Sequence, residues 1–284
     1  MRAALLQTAV RPEEGVDERR ERVSALVRAQ HAADLVVLPE LWTVGAFSFD
    51  AFHAHAESLD GATCRAMGEA AAHARVWLHA GSIVERSVEG QLYNTSLLFA
   101  PDGRLHRTYR KIHRFGFDRG EAALLSRGEE TVTAGLTAVP TAGGTAGVTA
   151  GLTEGVTADV TVGLATCYDL RFPEQFRQLV DGGAELLLVS AGWPAARRGH
   201  WSLLARARAL ESQAYVLACS TAGSHAGVAQ AGHSVVVDPW GEVVAEAGPD
   251  EETLVADLDL SLVAATRADF PALRDRVLGV PAPG

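Results

Sequence analysis

Short apolar runs along the chain alternate with longer stretches in which apolar residues recur every three or four positions. The first run, AALLQTAV at 3–10, reads as a strand. The stretch VDERRERVSALVRAQHA then sets Val16, Val23, Leu26 and Val27 on one face of a helix. DLVVLPE at 34–40 lacks polar alternation, as a strand buried on both faces would, and it stops at Pro39 and Glu40. Residues 62–75 form an alanine-rich helical pattern. VWLHAGSIVER and LYNTSLLFA read as strands, and Pro101-Asp102-Gly103 turns the chain back into RLHRTYRK as a hairpin.

The second half repeats the pattern. It offers a strand at 160–167, a helix at 173–181 with Pro173 in its first turn, and the strand ELLLVSA. A helix over RGHWSLLARARALESQA and the strand YVLACST follow. HSVVVDPWGEVVAEA is a hairpin around Pro239-Trp240-Gly241, and TLVADLDL is a last strand before a short helix. Strands that alternate with helices, broken by hairpins, predict a mixed sheet covered by helices. No change of composition divides the chain, so one domain is expected over residues 1–270, with 271–284 as a tail. Residues 133–158, a Thr-Ala-Gly tract, have little to bury, and glycine at that density resists a fixed conformation. They are expected to form a surface loop insertion.

Composition narrows the function. A net charge of −10 over 284 residues repels phosphate backbones, which excludes a general nucleic-acid binder. The apolar stretches are too short to span a bilayer, and the N-terminus lacks the apolar core of an export signal. Three cysteines, Cys64, Cys167 and Cys219, are too few for a disulfide framework and imply reduced thiols in the cytoplasm. The Asn94-Thr95-Ser96 sequon is then expected to stay idle. His53 and His55 have no third ligand at a zinc spacing, so no metal is expected.

Three strand ends carry chemistry. A cysteine in an apolar run is ordinarily a small buried hydrophobe, the reading given to Cys64 and Cys219. Cys167 differs: it stands between a strand and a proline-started helix, where backbone N–H groups point into the same space. A cysteine nucleophile needs a base or a positive neighbour, and no histidine lies close in sequence. Glu40 follows Pro39 and precedes Leu41-Trp42, a hydrophobic setting that would raise a carboxyl pKa and suit a base. Lys111 ends the hairpin strand, where an ammonium would stabilise charge on a carbonyl oxygen. Each is also open to a plain reading as a solvated surface charge.

LPELW, YRKIHRF and TCYDLRFPE, in this order, resemble the carbon–nitrogen hydrolases of the nitrilase superfamily. YNTSLLFAPDGRL, GEAALLSRGEE, the stretch 193–216 and GHSVVVDPWGEVVAEA extend the likeness over residues 2–265. The resemblance implies an α/β fold: a four-layer α-β-β-α sandwich with two stacked mixed sheets, and subunits paired as a homodimer or higher homo-oligomer. It assigns Glu40, Lys111 and Cys167 as the catalytic set and Glu121 as a supporting carboxylate. No cofactor is needed. The oxyanion would rest on Lys111 and the backbone N–H of Tyr168.

Tyr168-Asp169 after the cysteine is similar to the amidase branches, closest to omega-amidases and related Nit-type enzymes acting on small carboxylate-bearing amides. The implied reaction releases ammonia and an acid through a thioester. Arg171 would pair with the substrate carboxylate or form an ion pair with Asp169 or Glu174, and Trp193 would wall the pocket or pack in the core. Arg114-Phe115-Gly116 departs from the family's Leu-Phe-Asp and sets an extra cation at the expected entrance. Carbamoyl amide hydrolysis, acyl transfer, or a silent binding role on the same fold are the alternatives.

Overall fold

The computed structural model describes residues 1–116, 119–137 and 159–279. Its first sheet begins with three parallel strands, β1 (Arg2–Gln7), β2 (Leu35–Val37) and β3 (Trp77–Arg86). β4 (Leu92–Phe99) and β5 (Leu105–Arg110) continue it antiparallel, as the hairpin pattern predicts. The second sheet starts at β6 (Val132–Leu136), antiparallel to β7 (Val160–Thr166), which runs parallel to β8 (Leu186–Ala191) and β9 (Tyr215–Ser220). β10 (Ser224–His225) and β11 (Val228–Ala229) form a small separate ribbon. β12 (Val235–Val237) and β13 (Val243–Glu246) complete the second sheet. β14 (Glu252–Asp257) returns to pair with β1, giving six strands in each sheet.

Both faces of the central strands are buried, which is why they read as unbroken apolar runs. Ala3, Leu5, Leu35 and Val37 point between the sheets, against Val162, Leu164, Leu186, Leu188 and Leu217. Their neighbours Ala4, Leu6, Val36 and Leu38 face outward, under α1 (Val16–Arg28) and α2 (Ala62–Ala74). The second sheet is covered in the same way by α4 (Pro173–Asp181) and α5 (Arg198–Ser212), which bury Phe176, Leu179, Trp201 and Ala205. α3 (Glu121–Leu124) is a single turn beside the first sheet, and α6 (Ser261–Asp269) follows β14. The layers are therefore α-β-β-α with two stacked mixed sheets.

One expectation needs correction. Thr133–Leu136, assigned above to the loop insertion, belong to β6 and pair residue by residue with Val160–Gly163. Ala134 and Leu136 bury their side chains between the sheets, so two apolar residues suffice to make an edge strand of a glycine-rich stretch. The remainder of that tract, 138–158, lies outside the described residues.

The strand ends hold the surrounding loops at fixed points. β3 changes register between His79 and Ser82, and Gly81 there has a φ of +63°. A Cβ at Gly81 would stand 1.9 Å from the Pro39 carbonyl oxygen. The bulge thus receives the chain leaving β2: Leu41 N–H donates to Ser82 Oγ at 3.1 Å and Trp42 Nε1 to the Ala80 carbonyl at 2.9 Å.

Candidate active site

The ends of β2, β5, β7 and β8 converge on one cavity of about 360 Å³. Ligands of parallel sheets bind outside the carboxyl ends of strands, and Glu40, Cys167 and Gly192 all lie just beyond such ends.

Cys167 leaves β7 as the first residue of a 3-10 turn, Cys167–Arg171. Its φ of +48° is left-handed, a conformation that costs a side-chain-bearing residue roughly 1–2 kcal/mol. The Asp169 carboxylate secures the turn. It accepts the Thr166 N–H at 2.8 Å and the Tyr109 hydroxyl at 2.7 Å. His113 donates to the same carboxylate through its backbone N–H at 3.1 Å and Nδ1 at 2.8 Å. Tyr109 also accepts from Gln175 Nε2 at 2.9 Å. Tyr109 and His113 bracket Lys111 in sequence, so one buried carboxylate ties the lysine segment of the first sheet to the cysteine turn of the second.

Lys111 is buried and donates to Glu40 Oε1 and Glu121 Oε2, each at 2.7 Å. Asn94, on β4, donates from one amide nitrogen to Glu40 Oε1 at 2.8 Å and Glu121 Oε1 at 2.7 Å. Glu40 Oε2 accepts the Gly192 N–H at 2.8 Å. The setting of Glu40 is thus buried, as its sequence implies, but polar rather than hydrophobic. Gly192 lets the two strand ends meet, because a Cβ there would sit 2.4 Å from the Ala46 Cβ. Glu121 opens α3 and also accepts the Phe115 N–H at 3.0 Å.

These contacts set the protonation states. Burial, and then the charge of Glu40, holds the Cys167 thiol well above its ordinary 9.0, with Lys111 opposing. Burial works against a charged Lys111, but the carboxylates of Glu121 and Glu40 outweigh it and hold the ammonium well above 10.5. Burial raises Glu121 above 4.5; Lys111 pulls it down and Glu40 pushes it up. At neutral pH the cavity therefore pairs a protonated thiol with a charged ammonium.

Phe47, Phe115, Tyr168 and Trp193 wall the cavity, and Arg171 and Arg197 line it. Trp193 also packs on Trp201 at 5.4 Å. Arg171 forms no ion pair with Asp169 or Glu174; it lies 4.9 Å over the Trp193 ring and meets His200 Nδ1 at 3.2 Å. Arg114 is not a cation of the entrance. It donates to the carbonyls of Ala122 and Leu125 at 3.1 and 2.6 Å, bracing the turn that carries Glu121. His53 and His55 are exposed. Asn94, read as an idle sequon, and Arg197 escaped sequence reasoning. The single available signal was the odd Asn94 position within an otherwise buried strand.

A carbon–nitrogen hydrolase family model matches residues 2–268. The 2-oxoglutaramate amidase of Paenarthrobacter nicotinovorans is 39% identical over 276 residues, 96% of this chain and 88% of its own. Human omega-amidase NIT2 is 34% identical over 87% of this chain and 84% of its own. Among solved structures, a CN-hydrolase superfamily protein of Xanthomonas campestris with an arsenic adduct in its active site superposes with a TM-score of 0.84. It is 29% identical, over 99% of this chain and 98% of its own.

Proposed function

The chain belongs to the carbon–nitrogen hydrolase family, and on that premise we propose that it hydrolyses the ω-amide of a small carboxylic acid, such as a 2-oxoglutaramate-like compound, through Cys167. The contact of Lys111 with both Glu40 and Glu121, beside a protonated Cys167, carries the reading. Glu40 takes the thiol proton as sulfur bonds to the amide carbon and the carbonyl electrons move to oxygen. Lys111 and the N–H of Tyr168 hold that oxygen; Tyr168 is the second residue of its turn, where the helical ladder provides no acceptor. Glu40 passes the proton to nitrogen, the C–N bond breaks, and ammonia leaves a thioester. A water then gives Glu40 a proton and its oxygen bonds to carbon. The C–S bond breaks, the acid departs and the thiol regains its proton. Glu121 and Asn94 keep Glu40 and Lys111 in register.

The substrate carboxylate pairs with Arg171, which lines the cavity and has no carboxylate partner among the described residues. The names of the relatives agree with this choice. Among the described residues no helix is long and apolar enough to cross a membrane. Three free thiols fit a reducing compartment, the cytoplasm.

Ammonia release from a panel of ω-amides, uncharged amides and N-carbamoyl amino acids tests the substrate class. Mass spectrometry of a quenched reaction should find an acyl adduct on Cys167 and none on Cys167→Ala. Full turnover by Cys167→Ala, or preference for carbamoyl compounds, sinks the reading.

A further inference from the structure

Two guanidinium groups line the cavity, and neither meets a carboxylate among the described residues. Arg11, Arg20, Arg22, Arg110 and Arg208 all form ion pairs. Arg171 and Arg197 form none among the described residues, in a chain with ten more acidic than basic side chains. Both lie over aromatic walls instead: Arg171 over Trp193, and Arg197 over Phe115 at 5.4 Å. The backbone of Arg197 is fixed. It ends the 3-10 turn Ala195–Arg197, its N–H donates to the Pro194 carbonyl at 2.9 Å, and its carbonyl accepts Trp193 Nε1 at 2.9 Å. The guanidinium is half-buried and presented to the cavity from a held main chain.

We propose that Arg197 is a second anion-binding residue, and that Arg171 and Arg197 together select the ω-amide by the groups at its far end. The inference rests on the reading that the substrate carries a carboxylate there. One guanidinium fork takes both carboxylate oxygens. The second has donors left for an acceptor on the neighbouring carbon. A 2-oxo group supplies such an oxygen. A 2-ammonium group supplies three donors and no acceptor, and its charge faces two cations. The pair therefore favours ω-amides of 2-oxo acids and turns away those of 2-amino acids by repulsion as well as by lost bonds.

The test uses three five-carbon ω-amides with the same amide end: the 2-oxo acid, the 2-amino acid and the acid with no 2-substituent. Values of kcat/KM are compared for the wild-type chain, Arg197→Ala and Arg197→Lys. A charge-assisted hydrogen bond corresponds to roughly a ten- to hundred-fold effect. Arg197→Ala should lower the oxo-to-amino ratio by that factor, mainly through KM for the oxo acid. Arg197→Lys keeps the charge but not the fork, so it should retain most of the rejection of the amino acid and lose preference for the oxo acid over the unsubstituted one. An Arg197→Ala protein that melts like the wild type yet keeps the oxo-to-amino ratio within two-fold overturns the proposal. Arg197→Gln serves the same comparison if the alanine variant does not fold. A wild-type enzyme that hydrolyses uncharged amides and none of the three acids overturns the carboxylate reading and this inference with it; activity on the acids without the Arg197 effect overturns the inference alone.

Discussion

Cys167 cannot rely on a preformed thiolate, because burial and the neighbouring Glu40 charge hold its proton on. In the proposed mechanism Glu40 takes that proton as the bond to carbon forms. Glu40→Gln should therefore lower kcat by about 10²–10⁴, the usual worth of a positioned base. It should also slow alkylation of Cys167 by iodoacetamide; alkylation at the wild-type rate would show that the thiol needs no base. Glu121 is expected to set the acid side of the pH profile. Its carboxyl sits above 4.5, so it protonates before a solvated glutamate would as pH falls, and its grip on Lys111 weakens. The acid limb of kcat/KM should lie above pH 4.5 and move lower in Glu121→Gln, while Lys111 and Cys167 give no alkaline loss below about pH 9. An acid limb unmoved by Glu121→Gln would assign it to another group. The three residues proposed to react were singled out in the sequence because each stands where a strand stops. Asn94 was not, since a buried asparagine acquires meaning only from the two carboxylates that the fold brings to it. Arg197 was hidden for a similar reason: among the arginines of 197–208, sequence does not say which one lines the cavity.

Elements meet at this site through one residue without a side chain and one buried carboxylate. Gly192 joins the end of β8 to the loop after β2, and Gly192→Ala would drive a methyl into Ala46. Overpacking of this kind costs about 1–3 kcal/mol and would also displace the N–H that Glu40 accepts. We expect a lower melting temperature together with a lower kcat; loss of either alone would separate packing from positioning. Asp169 joins β5 to the cysteine turn through four hydrogen bonds. Tyr109→Phe deletes one of them, also takes the acceptor from Gln175 Nε2 and the Ile112 N–H, and should cost about 1–3 kcal/mol of stability. If the clamp sets the distance from Lys111 to Cys167, kcat should fall while KM holds, and an unchanged kcat would make the clamp purely structural. Most of the element order was legible from periodicity and turn residues: strands buried on both faces give unbroken apolar runs, and the helices give a period near 3.6. β6 was not, because Ala134 and Leu136 are its buried side chains and its glycine and threonine resemble the loop that follows. Its strand character comes from the β7 ladder, a partner far along the chain.

Across the whole molecule, the two sheets bury most large apolar side chains, which makes the exceptions on α5 informative. Leu203 and Leu210 are 67% and 55% exposed, two helical turns apart on one face. Trp240, 41% exposed, stands on the β12–β13 turn, which packs against the same helix where Arg206 Nε donates to the Gly241 carbonyl at 2.8 Å. Apolar residues grouped in this way suit an association surface. The homo-oligomer that the family resemblance implies would have a second copy of the chain cover this face, helix against helix. The chain's net charge of −10 opposes the pairing at long range, and salt screens that repulsion over about 10 Å at 0.1 M. A dimer held by leucines should therefore tighten from low to moderate ionic strength, whereas one held by ion pairs should loosen. Light scattering after size exclusion should give twice the 30.0 kDa of one chain. Leu203→Asp with Leu210→Asp should return the mass of one chain and leave the cavity residues in place, since both side chains point away from the core. If the wild-type chain elutes as a monomer at micromolar concentration in 0.1 M salt, or the double variant remains a dimer, the paired face lies elsewhere.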